Sequence, residues 1–448
     1  MARAGLTWRT RTGRAVLSSC GALVALALAA GGFYWWGGPH ERRVAQRVLD
    51  EACEGVLPSR EMRDVLGDGP FETGPGRVDV RSAHRASDSA GDGEKDVRRT
   101  VTCSVSGDGT SVAGGAGGEA EVEVTVQSVP QRRGDGTAAE AGADRDAGRG
   151  YGEGPLYPEP ETELPPVGLG GGWRGLFSTG ESFTSDSDGD NWGTAVTLLD
   201  CAGDRGGLLV TVAAQDEDVT LDDPRRRTAV ARIATATAAK ASAKWGCDAE
   251  VGKPPRTVAL PVNAEESVPL ADASGTCRGV PGRGGRLSRA WESASSGAPV
   301  EVCVVAGEGP DLPGTRTETG TGTGTGTGAA DEVRRYHLVA FYGPYAEAER
   351  LAHQERHGEY TEKPVPGEAP AGRLAGGGHW ATAACRDGSG PALFTVRDEE
   401  AWHGDRSGTY GKDRAKPSTA DLAYERAALA EFARHSARAH GCEAPALP

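Results

Sequence analysis

The chain has 448 residues, with 49 Lys and Arg against 64 Asp and Glu and a formal net charge of −15. Phosphate would repel so acidic a chain, which excludes a strongly basic nucleic-acid binder, and no nucleic-acid partner is expected. Hydrophobic residues at 37% and charged residues at 25% suffice for folded domains. Gly (67) and Pro (27) together make up about a fifth of the chain, so much of it is loop or linker, and the length suits about two to four domains.

Residues Ala15 to Trp36 carry no charge and close on Phe33, Tyr34, Trp35 and Trp36. As a helix at about 1.5 Å per residue they reach roughly 33 Å, enough to span a hydrocarbon core. Arg3, Arg9, Arg11 and Arg14 precede them with no acid among them, whereas Arg42 and Arg43 behind them mix with Glu41, Asp50 and Glu51. The positive side stays in the cytoplasm, so the expectation is a single-pass membrane protein with a cytoplasmic N-terminus and an extracytoplasmic bulk. The same residues admit a cleaved signal peptide ending at Ala27-Leu28-Ala29. The apolar run continues past that point into aromatics suited to the outer interface, which favours an uncleaved anchor. Leu17-Ser18-Ser19-Cys20 is not a lipobox, because its apolar run follows the cysteine.

Next along the chain, Val44, Val48, Ala52 and Val56 fall four apart and predict a helix over Glu41 to Val56 that leaves the membrane directly. Eight cysteines lie beyond the apolar segment: Cys53, Cys103, Cys201, Cys247, Cys277, Cys303, Cys385 and Cys442. An even set in an exported chain reads as disulfides, and no Cys-x-x-Cys spacing supports a zinc ribbon or a thioredoxin-like site.

An internal repeat narrows their pairing. Cys53-Glu-Gly55-Val56 is echoed by Cys277-Arg-Gly279-Val280, and Cys103-Ser-Val105-Ser-Gly107-Asp108-Gly109 by Cys303-Val-Val305-Ala-Gly307-Glu308-Gly309. Trp192-Gly-Thr194-Ala195 precedes Cys201 as Trp380-Ala-Thr382-Ala383 precedes Cys385. Ten residues after each of those cysteines comes a Thr-Val pair, in the predicted strands Leu208 to Val212 and Leu393 to Val396. Ala-rich helices are predicted over Arg227 to Trp245 and Thr419 to His440, each stopped by Gly-Cys. Further strands are predicted at Cys103 to Ser106, Val122 to Val126, Cys303 to Val305 and Tyr336 to Tyr342.

The economical reading is one unit duplicated, with disulfides Cys53 to Cys103, Cys201 to Cys247, Cys277 to Cys303 and Cys385 to Cys442. The expected fold class is α+β: a transmembrane helix, then disulfide-stapled modules of antiparallel strands packed with helices. The boundaries are a tail at 1–14, the anchor at 15–36, a first module at 41–130, a linker at 131–166 and a second module at 167–262. The second unit follows as a first module at 263–345 with a Thr-Gly loop, a connecting helix and linker at 346–378, and a second module at 379–448.

Chemistry-bearing patterns are sparse. His353 and His357 stand one helical turn apart, but Gln354 occupies the place of the zincin general base, and an exposed charged helix over Ala346 to His357 is the preferred reading. His435 and His440 suit a helix end through its dipole. Asp186, Asp188 and Asp190 have calcium-loop spacing, yet the glycine comes one place early and Thr197 stands where the closing Glu belongs, so a solvated acidic turn is preferred. There is no Gly-x-Ser-x-Gly elbow and no phosphate-cradling glycine loop. A carboxylate dyad cannot be located among so many acids. Trp192 and Trp380 are read as packing residues, with glycan stacking as the alternative. No cofactor or metal is expected.

The basic residues are 42 Arg against 7 Lys in a text rich in Ala, Gly, Asp and Glu. With the anchor, Cys-x-Gly-Val-Leu-Pro at Cys53, and the Trp-x-Thr-Ala and Gly-Cys strings, the chain resembles membrane-anchored exported proteins of unknown function from Streptomyces-type actinobacteria. The resemblance implies an exported, anchored architecture and brings no activity. Gly282 to Gly285 replaces the helix-forming residues after Pro58, a departure of the second copy that weighs against its leading helix. The expected function is a non-catalytic binding, sensing or scaffolding ectodomain of the cell envelope, with the membrane and an envelope polymer or membrane protein as partners. The alternative is a metal-dependent hydrolase using His353 and His357.

Overall fold

The computed structural model describes residues 39–67, 70–74, 76–83, 96–107, 119–129, 164–179, 192–202, 206–216, 221, 223–262, 266–284, 286–294, 298–307, 335–343, 345–346, 349–350, 371–374, 377–385, 391–398 and 417–448. The expected anchor, Ala15 to Trp36, lies outside these. Among the described residues no helix is long and apolar enough to cross a membrane.

The fold is α+β with all-antiparallel strands in two sheets. The first half opens with α1 (Pro39–Glu51), a 3-10 turn (Ala52–Gly55) and α2 (Ser59–Leu66). Strands β1 (Glu72–Thr73), β2 (Arg77–Ala83), β3 (Asp96–Gly107), β4 (Ala120–Val129), β5 (Val167–Gly168), β6 (Arg174–Thr179), β7 (Trp192–Asp200) and β8 (Gly207–Asp216) follow, then α3 (Pro224–Lys244). The second half contains β9 (Val268–Pro269), a 3-10 turn (Leu270–Asp272), β10 (Arg289–Glu292), β11 (Val300–Ala306), β12 (Tyr336–Phe341), β13 (Ala371–Arg373), β14 (His379–Ala384), β15 (Pro391–Asp398) and α4 (Thr419–Ala439).

The two halves share one topology. Sheet 1 runs β2-β3-β4-β8-β7-β6 and sheet 2 runs β10-β11-β12-β15-β14-β13, each with short extra strands at its edges. The two modules read in each half join through their central strands. Ala120 to Val129 pairs with Asp216 to Gly207, and Tyr336 to Phe341 with Asp398 to Leu393, so each half is one continuous sheet.

Period-two alternation gives each sheet two apolar faces. In sheet 1, Val124, Val210, Val212, Phe177 and Ala195 face α1, α2 and α3, while Leu176, Val196, Leu198 and Leu209 face the other way. That second set shares a core with Trp291, Val302, Val339, Phe341, Trp380 and Leu393 of sheet 2. The far face of sheet 2, through Leu338, Phe394 and Val396, packs on Leu429 and Phe432 of α4. The result is four layers: helices, sheet, sheet, helix.

Both closing helices have explicit stops and starts. Asp223 caps α3 by accepting from the Arg225 N–H at 2.9 Å, with Pro224 in the first turn. Ser418 and Asp421 form a reciprocal capping box on α4. Gly246 and Gly441 take φ of 69° and 67° after the last turns, as a helix stop before each cysteine requires. The helix expected over Glu41 to Val56 ends five residues early. Cys53, Glu54 and Gly55 take φ of 48°, 56° and 75°, a left-handed turn that breaks the ladder where Cys53 meets the sheet.

The cysteines pair Cys53–Cys103, Cys201–Cys247, Cys277–Cys303 and Cys385–Cys442, with Cα separations of 5.7, 4.5, 5.0 and 4.0 Å. No pair crosses between the halves. The repeated Trp-x-Thr-Ala strings, by contrast, are not structural equivalents. Trp380 pairs with Thr395, whereas the partner of the matching Thr211 is Val196, and Trp192 pairs with Gln215 four residues earlier on its strand. Counting back five residues from Cys201 and Cys385 gives the true correspondence, Val196 with Trp380.

Candidate functional site

Polar side chains of the kinds that do chemistry gather beneath α4. Its buried stripe is apolar in the middle, at Leu429 and Phe432, and polar at both ends. At the first end, His379 at the start of β14 meets Glu425 with Nδ1 2.9 Å from Oε2. Arg426 Nε donates to His379 Nε2 at 3.4 Å, so the imidazole proton sits on Nδ1 and is donated to Glu425. Arg283 pairs with Asp421 one turn earlier, tying the Gly-rich turn before β10 to the helix start.

At the other end a closed ring of contacts forms. Tyr342 and Ser436 oxygens lie 2.5 Å apart, and Ser436 Oγ donates to Glu301 Oε2 at 2.6 Å. The other oxygen of Glu301 lies 3.2 Å from His440 Nε2, and the His440 ring stacks on Tyr342 with centroids 3.5 Å apart. Burial pushes the Tyr342 phenol far above its usual range, helped by the Glu301 charge and opposed by the Ser436 hydrogen bond. The Tyr424 phenol, against Tyr336, is raised for the same first reason.

Serine, histidine and glutamate side by side invite a nucleophile reading, but the connections are wrong for it. Ser436 donates to the carboxylate and not to the imidazole, so the hydroxyl–imidazole pair of a serine nucleophile is absent. Ser436 is 1% and Glu301 2% exposed, which leaves no room for a substrate. These groups stitch a helix to a sheet.

Among the described residues a surface cleft lies in the first half. A cleft of about 260 Å3 sits where β1 and β2 part beside β3, under the end of α1. Both sulfurs' residues, Cys53 and Cys103, line it, with the Glu51 and Glu54 segment, Thr73, Thr102 and Val78. Its wall is clamped by Glu54: Arg99 forms an ion pair with the carboxylate, and Lys244 Nζ donates to the Glu54 carbonyl. Arg99 also lies over the Trp245 ring at 5.0 Å, and Lys240 Nζ donates to Leu57 O at 2.6 Å. Helix α3 thus grips the left-handed turn from below.

Of the residues singled out in the sequence, all eight cysteines beyond the apolar segment are paired. Trp380 is 2% exposed between the sheets, which places it in the core and overturns glycan stacking at that position. His440 joins the Glu301 ring. His353, His357, Asp186, Asp188 and Asp190 lie outside the described residues. Among the described residues no group of three or more His, Cys, Asp or Glu is arranged to hold a metal ion. His379, Glu425, Glu301 and Ser436 went unnoticed in the sequence. The signal was the spacing of Asp421, Glu425, Leu429, Phe432, Ser436 and His440, polar positions in phase with an apolar helix stripe.

No protein-family model, curated protein or solved structure matches the chain.

Proposed function

We propose that the chain is a membrane-anchored, extracytoplasmic binding, sensing or scaffolding protein of the cell envelope, without catalytic activity of its own. The observation that carries this reading is the set of four cysteine pairs, each confined to one half. Such pairs persist where no cytosolic reductant reaches them. They fit the span Ala15 to Trp36, whose flanking arginines orient the remainder of the chain outward. The placement of acid, histidine and hydroxyl groups in sealed contacts under α4 further favours binding over turnover.

The expected ligand is an envelope polymer or a membrane protein. A thermal-shift screen on the full chain in detergent tests this, using zinc, calcium and soluble wall fragments as probes. A true ligand raises Tm by linkage, by an amount that grows with its concentration. Stabilisation by a wall fragment supports the binding module. Stabilisation by one equivalent of zinc, lost in His353→Ala, would replace it with a metal-dependent hydrolase.

A further inference from the structure

The first cysteine pair differs from its counterpart in ways that the shared motif does not require. Cys53-Glu54-Gly55 and Cys277-Arg278-Gly279 occupy the same place in the two halves, and each begins a disulfide to the strand that carries the second cysteine. In the second half a single left-handed glycine, Gly279 at φ 81°, completes the turn. In the first half Cys53 and Glu54 are left-handed as well, a conformation costly for residues with a Cβ. Cys277 and Cys303 are wholly buried, with Cys277 Sγ 3.4 Å from the Trp291 carbonyl. Cys53 and Cys103, at 6% and 5% exposed, are buried less completely and line the cleft.

We propose that Cys53–Cys103 is a thiol–disulfide exchange site, addressed through the cleft by a dithiol reductant, while its counterpart Cys277–Cys303 is a structural staple. A thiolate of the incoming dithiol attacks one sulfur of the pair, and the other leaves with the bonding electrons and takes up a proton. The second thiol of the reductant then attacks the mixed disulfide, so the reductant departs oxidised and both cysteines are left as thiols. Two electrons and two protons have moved. Reduction frees Cys53 and Glu54 from the left-handed turn, and this release of backbone strain favours opening. It also uncouples α1, the segment that follows the proposed anchor, from β3. Asp248, next to Cys247, is left-handed too, but aspartate tolerates that region far better than a cysteine followed by a glutamate.

The inference rests on the outward-facing, oxidised state proposed above. The test is a dithiothreitol titration of the full chain in detergent, with N-ethylmaleimide trapping and peptide mapping of each pair. Cys53–Cys103 should open at about tenfold lower reductant than Cys277–Cys303. Glu54→Gly and Glu54→Ala both lose the Arg99 ion pair, but only glycine relieves the strain. The glycine variant should therefore need several-fold more dithiothreitol than the alanine variant to open this pair. Cys277–Cys303 opening first, or equal requirements in the two variants, would overturn the exchange site. Free thiols at all eight positions before any reductant is added would instead remove the oxidised state on which it rests.

Discussion

Sheet 1 and sheet 2 have the same strand order, the same two cysteine pairs and the same closing helix, yet they use the faces turned away from their helices differently. On β3 and β4 that face carries Thr100, Thr102, Ser104, Glu123, Thr125 and Gln127, half-buried or exposed. At the matching positions of β11 and β12 stand Val300, Val302, Val304, His337, Val339 and Phe341, all buried. The difference follows from cover. Sheet 1 contributes Leu176, Val196, Leu198 and Leu209, from β6, β7 and β8, to the contact between the sheets. Its β3 and β4 extend beyond that contact into water. A duplicated fold therefore keeps its helix-facing core in both copies and rewrites the other face according to what lies against it.

The helices differ in the same spirit. Sheet 1 is covered by α1, α2 and α3, and α3 uses arginines to hold the end of α2 and the segment that follows α3: Arg226 Nη1 donates to Val65 O at 2.7 Å and Arg227 Nε to Val258 O at 3.2 Å. In the second half the residues after Cys277 form turns, as Gly282 to Gly285 foreshadows. There, among the described residues, α4 covers the far face of the sheet without a second helix and uses acids, a serine and a histidine.

The sharpest way to break this comparison is to truncate a side chain in the contact between sheets. Trp380→Ala should cost about 3–5 kcal/mol in urea unfolding, whereas Thr125→Ala on the open face of sheet 1 should stay within about 0.5 kcal/mol. Similar costs at both positions would refute the assignment of cover.

Next in size are the staples. Replacing Cys385 and Cys442 together by serine should cost about 2–5 kcal/mol. The loops closed by this pair and by Cys201–Cys247 differ little, with separations of 57 and 46 residues. Chain entropy alone then predicts that the two double mutants agree within about 0.3 kcal/mol. A larger gap would mean that the halves depend on their staples through native packing.

Exchanging counterparts is a finer probe. Val302→Thr buries a hydroxyl between the sheets and should lower stability by about 1–3 kcal/mol, while Thr102→Val should change it by less than about 0.5 kcal/mol.

The alkaline limb of stability belongs to the second half. Tyr342 and Tyr424 are raised in the folded state above the free phenol. The unfolded chain therefore releases these protons first, and their contribution is intact below about pH 10 and lost as pH rises beyond it. Absorbance titration of the nine tyrosines should leave at least two that ionise only with unfolding. The smallest expected effect is at the caps: Ser418→Ala and Asp223→Ala should each cost about 1 kcal/mol.

Much of this was legible in the residues, for reasons that can be named. The cysteine pairing followed from strings repeated around Cys53 and Cys277 and around Cys103 and Cys303, because a disulfide constrains the residues beside it. The helix stops at Gly246 and Gly441 were local chemistry. Pairing of β4 with β8 was not legible, since it joins strands about eighty residues apart and no local pattern encodes register. The Trp192 and Trp380 strings misled for the same reason: three matching letters on alternating strands do not specify register, whereas the distance to the cysteine does. The His379–Glu425 contact was hidden because its partners lie 46 residues apart and meet only when α4 docks.

The central claim is that two related halves are each closed by their own oxidised cysteines. Peptide mapping of the intact chain, digested without reductant, tests it most directly. The account predicts four linked peptide pairs, Cys53 with Cys103, Cys201 with Cys247, Cys277 with Cys303 and Cys385 with Cys442. Linked peptides that bridge the two halves, or alkylatable thiols at these positions, would contradict it.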